Sequence, residues 1–372
     1  MHRRIALLSA AALTGTLLAG ALPAGAAQAS GPEGGPGARG ASPGEPAGVS
    51  GTAQKDRVAS KTPAQAKTPS KGQPKPAQHA AADSASERRQ VMTYWTEQRM
   101  ESAKPLDAPD PKAAPSAAEP RQGTAWTAPP TRGTAGGGTS TQAANSPGAA
   151  WTKGGAVART TGRIFFTTQG RNASCSGTAV TSANKSVVLT AGHCVKMNGT
   201  FHTNWVFVPG YDKGNRPFGT WPATRLLTTQ QWNTREDINF DVAAAVVAPV
   251  DGKTLVDTVG GQGVAFNQPR RRQMYAFGYP AAAPYDGSKL VYCSGQTFDD
   301  VLASEDLGLT CNMTGGSSGG PWMLNFDEST GLGTQNSVNS FKYNFAPNWM
   351  FGPYFGSEAQ AVYQAAQSTN AA

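Results

Sequence analysis

Long apolar runs are missing from this chain after residue 22. The first one, Ile5 to Leu22, is interrupted by two glycines and ended by Pro23. It is short for a helix that crosses a bilayer, which needs about 20 apolar residues. A basic start precedes it and Ala27-Gln28-Ala29 follows it, as in secretory signal peptides. A membrane anchor is the alternative, but we predict a signal peptide at residues 1–29, a secreted protein and no stable membrane insertion.

Cysteine is scarce, with four residues in the chain and none before Cys175. The tight Cys-x-x-Cys or Cys/His spacing of a zinc site is absent, so the residues predict disulfides in an oxidising compartment. Three pairings of four cysteines are possible. The sequential pairing, Cys175 with Cys194 and Cys293 with Cys311, closes two loops of similar size. We predict no metal and no organic cofactor.

Excess charge is almost absent from the second half of the chain. The net charge is +8, but residues 151–372 contain 16 lysines and arginines against 14 aspartates and glutamates. This near balance gives no sign of a nucleic-acid-binding surface. The run Arg270-Arg271-Arg272 is interpreted as a solvated loop.

Apolar residues are also rare between residues 30 and 150, where Ala, Pro, Gly, Ser and Lys dominate. Such composition cannot bury enough surface to offset chain entropy, so we predict a mostly disordered, low-complexity linker. One island, at about 83–104, has Val91, Tyr94 and Trp95 at helical spacing and ends at Pro105. This short helix either docks on the domain that follows or is an apolar segment within a flexible linker, and the sequence leaves both possibilities open.

From about Gly155, short runs rich in β-branched and aromatic residues alternate with turn residues. Many short strands at this spacing predict an antiparallel all-β domain over residues 151–372, whose length suits two small barrels. One helix is predicted at the end, with Ser357 as its cap and Glu358 in its first turn.

The strongest chemical signal is Gly316-Ser317-Ser318-Gly319-Gly320-Pro321. A nucleophilic serine needs a tight turn, and glycines allow the backbone to approach a substrate closely. With Ser318 as nucleophile, the amides of Gly316 and Ser318 are the natural donors to an oxyanion.

A second signal is Thr190-Ala191-Gly192-His193-Cys194, in which a strand ends, a glycine turn follows and a histidine adjoins a cysteine. A histidine acting as a base must be neutral and fixed in orientation. His202 competes for this role but lacks the setting, so we predict that His193 is the base.

The third signal is an aspartate that would orient the imidazole. Asp241 begins the apolar run to Val247, and a buried carboxylate needs a partner. Asp237 is the rival, but a polar and aromatic stretch follows it. We therefore predict Asp241.

In the order His, Asp, Ser, these signals resemble the chymotrypsin and trypsin superfamily of serine proteases over about residues 155–367. The motifs Gly278-Tyr279-Pro280 and Met313 to Ser318 resemble the glutamyl-endopeptidase-like branch of secreted microbial enzymes. The resemblance implies two packed six-stranded antiparallel β-barrels and a bridge from Cys175 to Cys194. It also implies a serine endopeptidase that acts on protein or peptide substrates through an acyl-enzyme. We predict that it is a secreted monomer in which residues 30–150 are a pro-region or linker.

Two positions depart from the animal members of that superfamily. Ser317 stands where they carry an aspartate that pairs with the freshly cut N-terminus. Asn312 stands at the predicted base of the specificity pocket, which argues against a strong preference for Lys or Arg. The strand Ser337-Val338-Asn339 resembles the pocket wall, so these three residues and Asn312 are the predicted substrate-binding residues.

Two rival functions remain at this stage. One is a catalytically silent binding protein tethered by its basic tail, and the other is an esterase that uses the same three residues.

Overall fold

The computed structural model describes residues 74–106, 111, 118–131 and 145–372. By its contacts the chain divides into residues 1–62 and residues 63–372, and every described residue belongs to the second part. The predicted signal peptide therefore lies outside the described residues. Among the residues that are described, no helix combines the length and the apolar character needed to cross a membrane.

The elements follow one another in three stretches. The first contains β1 (Ala77–Ala80), α1 (Ala85–Tyr94), α2 (Glu97–Ser102), β2 (Lys104–Pro105), β3 (Trp126–Ala128) and β4 (Ser146–Ala150). The second contains α3 (Gly155–Thr160), β5 (Thr161–Thr168), β6 (Arg171–Val180), β7 (Val187–Thr190), β8 (Lys196–Met197), β9 (Thr200–Phe201), β10 (Thr203–Pro209), β11 (Trp221–Thr228), α4 (Gln230–Arg235) and β12 (Ala243–Val247). The third contains α5 (Leu255–Val259), β13 (Gly263–Phe266), β14 (Gln273–Gly278), β15 (Val291–Gln296), β16 (Phe298–Asp299), β17 (Leu307–Thr310), β18 (Pro321–Asp327), β19 (Leu332–Val338), β20 (Trp349–Gly352) and α6 (Ser357–Gln367).

Six strands of the second stretch close into an antiparallel barrel in the order β11, β10, β5, β6, β7, β12 and back to β11. Strand β12 is buried along its whole length, which explains its run of Ala and Val. Because closure leaves no free edge in such a barrel, the residues at the ends of β7 and β12 are held rigidly. Those two ends lead to His193 and Asp241.

Five strands of the third stretch form a seven-stranded sheet with β3 and β4 of the first, in the order β3, β13, β19, β18, β14, β15, β4, and β16, β17 and β20 form a three-stranded sheet. The all-β, chymotrypsin-like prediction is confirmed, with one difference: the strands expected in a second six-stranded barrel are hydrogen-bonded here as two sheets. The two sheets are joined covalently by the disulfide between Cys293 of β15 and Cys311, the residue after β17.

The predicted C-terminal helix is present as α6, but Gly356 is its N-cap and Ser357 is its first residue. The helix returns to the first barrel, where the Tyr363 hydroxyl donates to the Thr181 carbonyl at 2.6 Å. In its first turn the buried Glu358 carboxylate lies 2.6 Å from Nε of Arg121.

The described residues before 150 pack on the barrel and sheets. Residues 83–104, predicted as one short helix, form α1 and α2, and a Ser84–Glu87 capping box begins α1. Trp95 is almost fully buried, and its indole N–H donates to the Asn204 carbonyl at 2.5 Å. Strand β1 pairs with β11, β2 with β6, β3 with β13 and β4 with β15. The parts of the predicted linker that the structure describes are therefore built into the fold.

Candidate active site

His193 lies in a short 3₁₀ turn, Gly192–Cys194, directly after β7. The turn is anchored because Cys194 is bridged to Cys175 of β6. The structure thus contains the sequential disulfide pairing: one bridge lies within the first barrel, and the other joins the seven-stranded sheet to the three-stranded one. The His193 side chain is completely buried.

Asp241 follows a second 3₁₀ turn and precedes β12, which brings its carboxylate to His193. The Oδ2 atom lies 2.7 Å from Nδ1 of His193, and Oδ1 accepts from the His193 amide at 2.8 Å. The Ser340 hydroxyl also donates to Oδ2, at 2.5 Å. Three donors compensate the burial of this carboxylate, and an ionised carboxylate only accepts, so Nδ1 of His193 carries the proton.

Asp237, the rival candidate, is used differently. Its carboxylate pairs with Arg235 at 3.2 Å and accepts from the Asn239 amide at the start of the second 3₁₀ turn. The structure therefore brings Asp241, and not Asp237, to the imidazole.

Ser318 lies on a tight loop between β17 and β18 and lines a cavity of about 410 Å³. The loop packs closely on the first barrel, because the Ser176 amide donates to the Ser318 carbonyl at 2.7 Å. Gly319 has φ +78°, and a Cβ there would lie 2.0 Å from Oγ1 of Thr190. Only glycine fits this approach, which accounts for the glycine after the serine in the sequence motif.

The second ring nitrogen of His193, Nε2, is buried and makes no hydrogen bond within the described residues. The His193–Asp241 contact is thus formed, whereas no hydrogen bond joins Ser318 to His193. In unliganded sites such hydrogen bonds are commonly long and tighten when substrate binds. The geometry provides an imidazole fixed at one nitrogen and free at the other, as a proton acceptor requires.

Comparison with known proteins identifies the family. No protein-family model and no curated protein matches the sequence. Among solved structures, the protease Anisep from Arthrobacter nicotinovorans is 44% identical over 57% of this chain and 96% of its own, with a TM-score of 0.54. The thermostable serine protease AL20 from an extremophilic microorganism is 46% identical over 58% of this chain and 100% of its own, with a TM-score of 0.55. The chain belongs to the chymotrypsin-like serine proteases.

The two predicted oxyanion donors of this protease make no hydrogen bond to another described residue. Among the hydrogen bonds of the described residues, the amides of Gly316 and Ser318 are not donors. Their carbonyls, in contrast, are both bonded to Ser176. Two free amides on one loop beside a serine are the arrangement that stabilises an oxyanion.

The cavity beside Ser318 has a different lining from the one the sequence predicted. Its lining residues are Met313, Thr314, Gly315, Ser317, Ser318, Ser340, Phe341, Lys342, Asn344 and Met350. Lys342 is the charged side chain in this set, and its ammonium donates to the Cys311 and Pro347 carbonyls at 2.7 and 2.5 Å.

The four predicted substrate-binding residues are absent from that lining. The side-chain oxygen Oδ1 of Asn312 accepts from the Tyr285 hydroxyl at 2.6 Å, and Gly148 of β4 packs so closely on this atom that a Cβ there would lie 1.8 Å away. Ser337 and Val338 are fully buried in β19, with the Ser337 hydroxyl on the Pro353 carbonyl. Asn339 accepts from the Trp322 indole at 2.7 Å. The described cavity lining therefore does not include these four residues, and their role in substrate binding stays a prediction.

His202 supports the His193 turn from behind. Its Nε2 lies 2.8 Å from the His193 carbonyl, and its ring stacks on Phe166 with centroids 4.3 Å apart. Burial lowers the pKa of His202 to about 4, so the ring is neutral at neutral pH and donates through Nε2. His202 therefore holds the backbone of His193 and does not replace it.

Two residues near Asp241 were not predicted from the sequence to lie there. Ser340, which directly follows the predicted pocket-wall strand, donates to Asp241. Asp306 is fully buried, and in the part of the chain that the structure describes neither of its carboxylate oxygens has a hydrogen-bond partner. Burial first, and then the charge of Asp241, raise the pKa of Asp306 well above its usual range. No local sequence pattern indicates that Ser340 and Asp306 lie near Asp241, because this proximity brings together segments that are distant in the chain.

A metal centre is not supported at the site. Cys175, His193 and Cys194 come within metal-ligand distance of one another, and they are the one such group among the described residues. Both sulfur atoms are bonded to each other in a disulfide, so neither is the thiolate that binds zinc.

Proposed function

We propose that this protease is a secreted endopeptidase that cleaves peptide bonds through an acyl-enzyme, with His193, Asp241 and Ser318 as its catalytic triad. One observation carries the proposal: a buried imidazole is held at Nδ1 by a carboxylate with three donors, while its Nε2 has no partner within the described residues. The motif serine of the nucleophile loop lines the adjoining cavity.

The proposed reaction proceeds in two halves. Ser318 Oγ bonds to the substrate carbonyl carbon while His193 Nε2 takes the hydroxyl proton, and the amides of Gly316 and Ser318 donate to the oxyanion. The C–N bond then breaks, and His193 gives its proton to the leaving amine. A water attacks the acyl-enzyme by the same route and frees Ser318. Asp241 stabilises the charged imidazole in both halves and holds its tautomer.

Secretion and a monomeric state are part of the proposal. All four cysteines are in disulfides, which suits an oxidising compartment outside the cell. Every group assigned to the reaction comes from a single chain, so we infer that a monomer suffices. No described residue before 145 lines the cavity beside Ser318, so the docked N-terminal elements leave it open.

A fluorophosphonate probe tests the triad. The purified protein is expected to be labelled, and Ser318→Ala is expected to abolish labelling and peptide cleavage. Ser368→Ala, which removes an exposed hydroxyl at the end of α6, is the matched control and is expected to label like the natural protein.

Three results would contradict the proposal in different ways. A folded protein that neither labels nor cleaves would favour the silent binding protein. Labelling with cleavage of esters but not peptides would favour an esterase. Labelling that persists in Ser318→Ala would place the nucleophile elsewhere.

The charge of Lys342 leads to a specificity prediction. Its ammonium would repel a cationic side chain in the cavity, so peptides with Arg at the cleaved position are expected to have kcat/KM about tenfold or more below matched Gln peptides at pH 7. Burial lowers the pKa of Lys342 to about 8, so the lysine loses its charge as the pH rises through that value and the discrimination is expected to shrink above it.

In Lys342→Met, the ratio of kcat/KM for the Gln peptide to kcat/KM for the Arg peptide is expected to be close to one. Lys289→Met, at an exposed lysine outside the cavity lining, is the control and should leave the ratio unchanged. Equal cleavage of Gln and Arg peptides by the natural protein at pH 7 would refute the role of Lys342.

A further inference from the structure

The nucleophile loop lacks the carboxylate that organises it in animal members of the superfamily. Ser317 stands at that position, and its hydroxyl donates to the Thr314 carbonyl at 2.8 Å, within the same loop. A short Gly-rich loop is flexible unless other groups hold it. The loop must therefore be fixed by contacts from outside it.

The peptide unit between Gly315 and Gly316 is fixed by the segment that follows β14. The Ala281 amide donates to the Gly315 carbonyl at 2.7 Å. In a planar trans peptide the C=O and the next N–H point in opposite directions. The bond from Ala281 therefore turns the Gly316 N–H away from that segment.

The peptide unit between Ser317 and Ser318 is fixed in the same way. The Asn339 side-chain amide donates to the Ser317 carbonyl at 2.9 Å, and Asn339 also donates to the Phe277 carbonyl at 2.8 Å. The Ser318 N–H consequently points away from Asn339. Both amides of the loop are thus oriented by donors that hold the carbonyl at the opposite edge of the same peptide unit.

Two further carbonyls of the loop, those of Gly316 and Ser318, are held by one residue of the first barrel, Ser176 in β6. Its amide donates to the Ser318 carbonyl at 2.7 Å, and its hydroxyl donates to the Gly316 carbonyl at 2.9 Å. The hydroxyl in turn accepts from the Tyr279 amide at 2.9 Å. Because an amide only donates and a carbonyl only accepts, the direction of this hydroxyl is unambiguous.

Ser176 is completely buried, and its own carbonyl accepts from the Thr190 hydroxyl at 2.9 Å. It therefore joins the end of β7, which leads to His193, to the loop that carries Ser318. The motif Gly278-Tyr279-Pro280 takes part in this contact, since the Tyr279 amide orients the Ser176 hydroxyl by donating to it. Buried hydrogen-bond networks of this kind hold a single geometry when every member is satisfied.

We propose that Ser176 is a positioning residue of this protease, whose hydroxyl holds the nucleophile loop with the Gly316 and Ser318 amides ready for the oxyanion. The inference rests on the proposed function. It means that the oxyanion site is formed by internal hydrogen bonds and does not depend on a freshly cut N-terminus.

An isosteric pair of variants tests the hydroxyl. Ser176→Thr and Ser176→Val add the same bulk, but only the threonine keeps the donor. Relative to Ser176→Thr, Ser176→Val is expected to lower kcat for a peptide substrate by about 10- to 100-fold, somewhat less than the loss of an oxyanion donor itself, with KM within about twofold. Ser174→Ala is the control, since Ser174 is buried in the same strand but its hydroxyl accepts from Arg163 at 2.8 Å.

Should the two bulkier variants fail to fold, Ser176→Ala and a peptide aldehyde give a second test. The aldehyde forms a tetrahedral adduct with Ser318, so its affinity is expected to fall by the same factor as kcat/KM while a product peptide binds unchanged. Equal kcat for the Thr and Val variants, an equal loss in Ser174→Ala, or unchanged aldehyde affinity in Ser176→Ala would overturn the role of Ser176. A natural protein that neither labels nor cleaves would instead overturn the proposed function.

Discussion

Asp241→Asn is expected to lower kcat for peptide hydrolysis by about four orders of magnitude, with KM little changed. The carboxylate accepts from the His193 amide, His193 Nδ1 and the Ser340 hydroxyl. An asparagine replaces one acceptor oxygen by an NH₂ group, which cannot accept from any of these donors. If that group donates to Nδ1, the proton of the neutral imidazole moves to Nε2, and His193 can no longer receive the proton of Ser318.

Steady-state kinetics and the rate of fluorophosphonate labelling measure this loss. Asp237→Asn removes a neighbouring carboxylate that pairs with Arg235 and makes no described contact with His193. The Asp237→Asn variant is expected to have a kcat within about threefold of that of the natural protein, because Asp237 is not a member of the proposed triad. An Asp241→Asn protein that retained a tenth of the natural kcat would rule out Asp241 as the triad acid.

Trp95→Ala is expected to lower the free energy of unfolding by about 3–5 kcal/mol, the usual cost of emptying a buried aromatic site. Trp95 is 1% exposed and its ring centroid lies 5.5 Å from that of Phe165 in β5. Truncation also leaves the Asn204 carbonyl without its indole donor. The prediction follows only if the N-terminal helices are a structural part of the folded domain.

Denaturant unfolding in a Ser318→Ala background, which prevents self-digestion, measures the change. Met92→Ala is the control on the same helix, because Met92 is 37% exposed, and its cost is expected to stay within about 0.5 kcal/mol. If Trp95→Ala lowered the free energy of unfolding by less than about 1 kcal/mol, the result would favour the other interpretation of this segment, an apolar segment within a flexible linker.

The described N-terminal elements show where sequence patterns were too weak. Val91, Tyr94 and Trp95 predicted a helix, but nothing in the Ala/Pro-rich stretches around it indicated that Ala77–Ala80 pairs with β11. Edge strands of this kind are formed by backbone hydrogen bonds to a partner strand. Side-chain composition therefore carries little information about them.

The cavity beside Ser318 shows a second limit of prediction from the sequence. Counting back from Ser318 along the chain pointed to Asn312 as the pocket base, because spacing was the only guide. In the fold the Asn312 side chain turns to Tyr285 and β4, while Lys342, from the segment after β19, lines the cavity. Side-chain direction at a strand end depends on what packs there, which spacing alone does not encode.

The sequence by itself determined the family, the all-β fold and the motifs around His193, Asp241 and Ser318. These depend on local signals: strand periodicity, glycine turns, and a polar residue at the edge of an apolar run. The tertiary structure alone decided which groups surround them, including the Ser340 donor to Asp241, the Lys342 ammonium in the cavity and the Ser176 hydroxyl on the nucleophile loop. Ser176 and Gly316 are 140 residues apart in the chain. Their contact exists only because the first barrel and the later sheets pack together, so no local pattern in the sequence could reveal it.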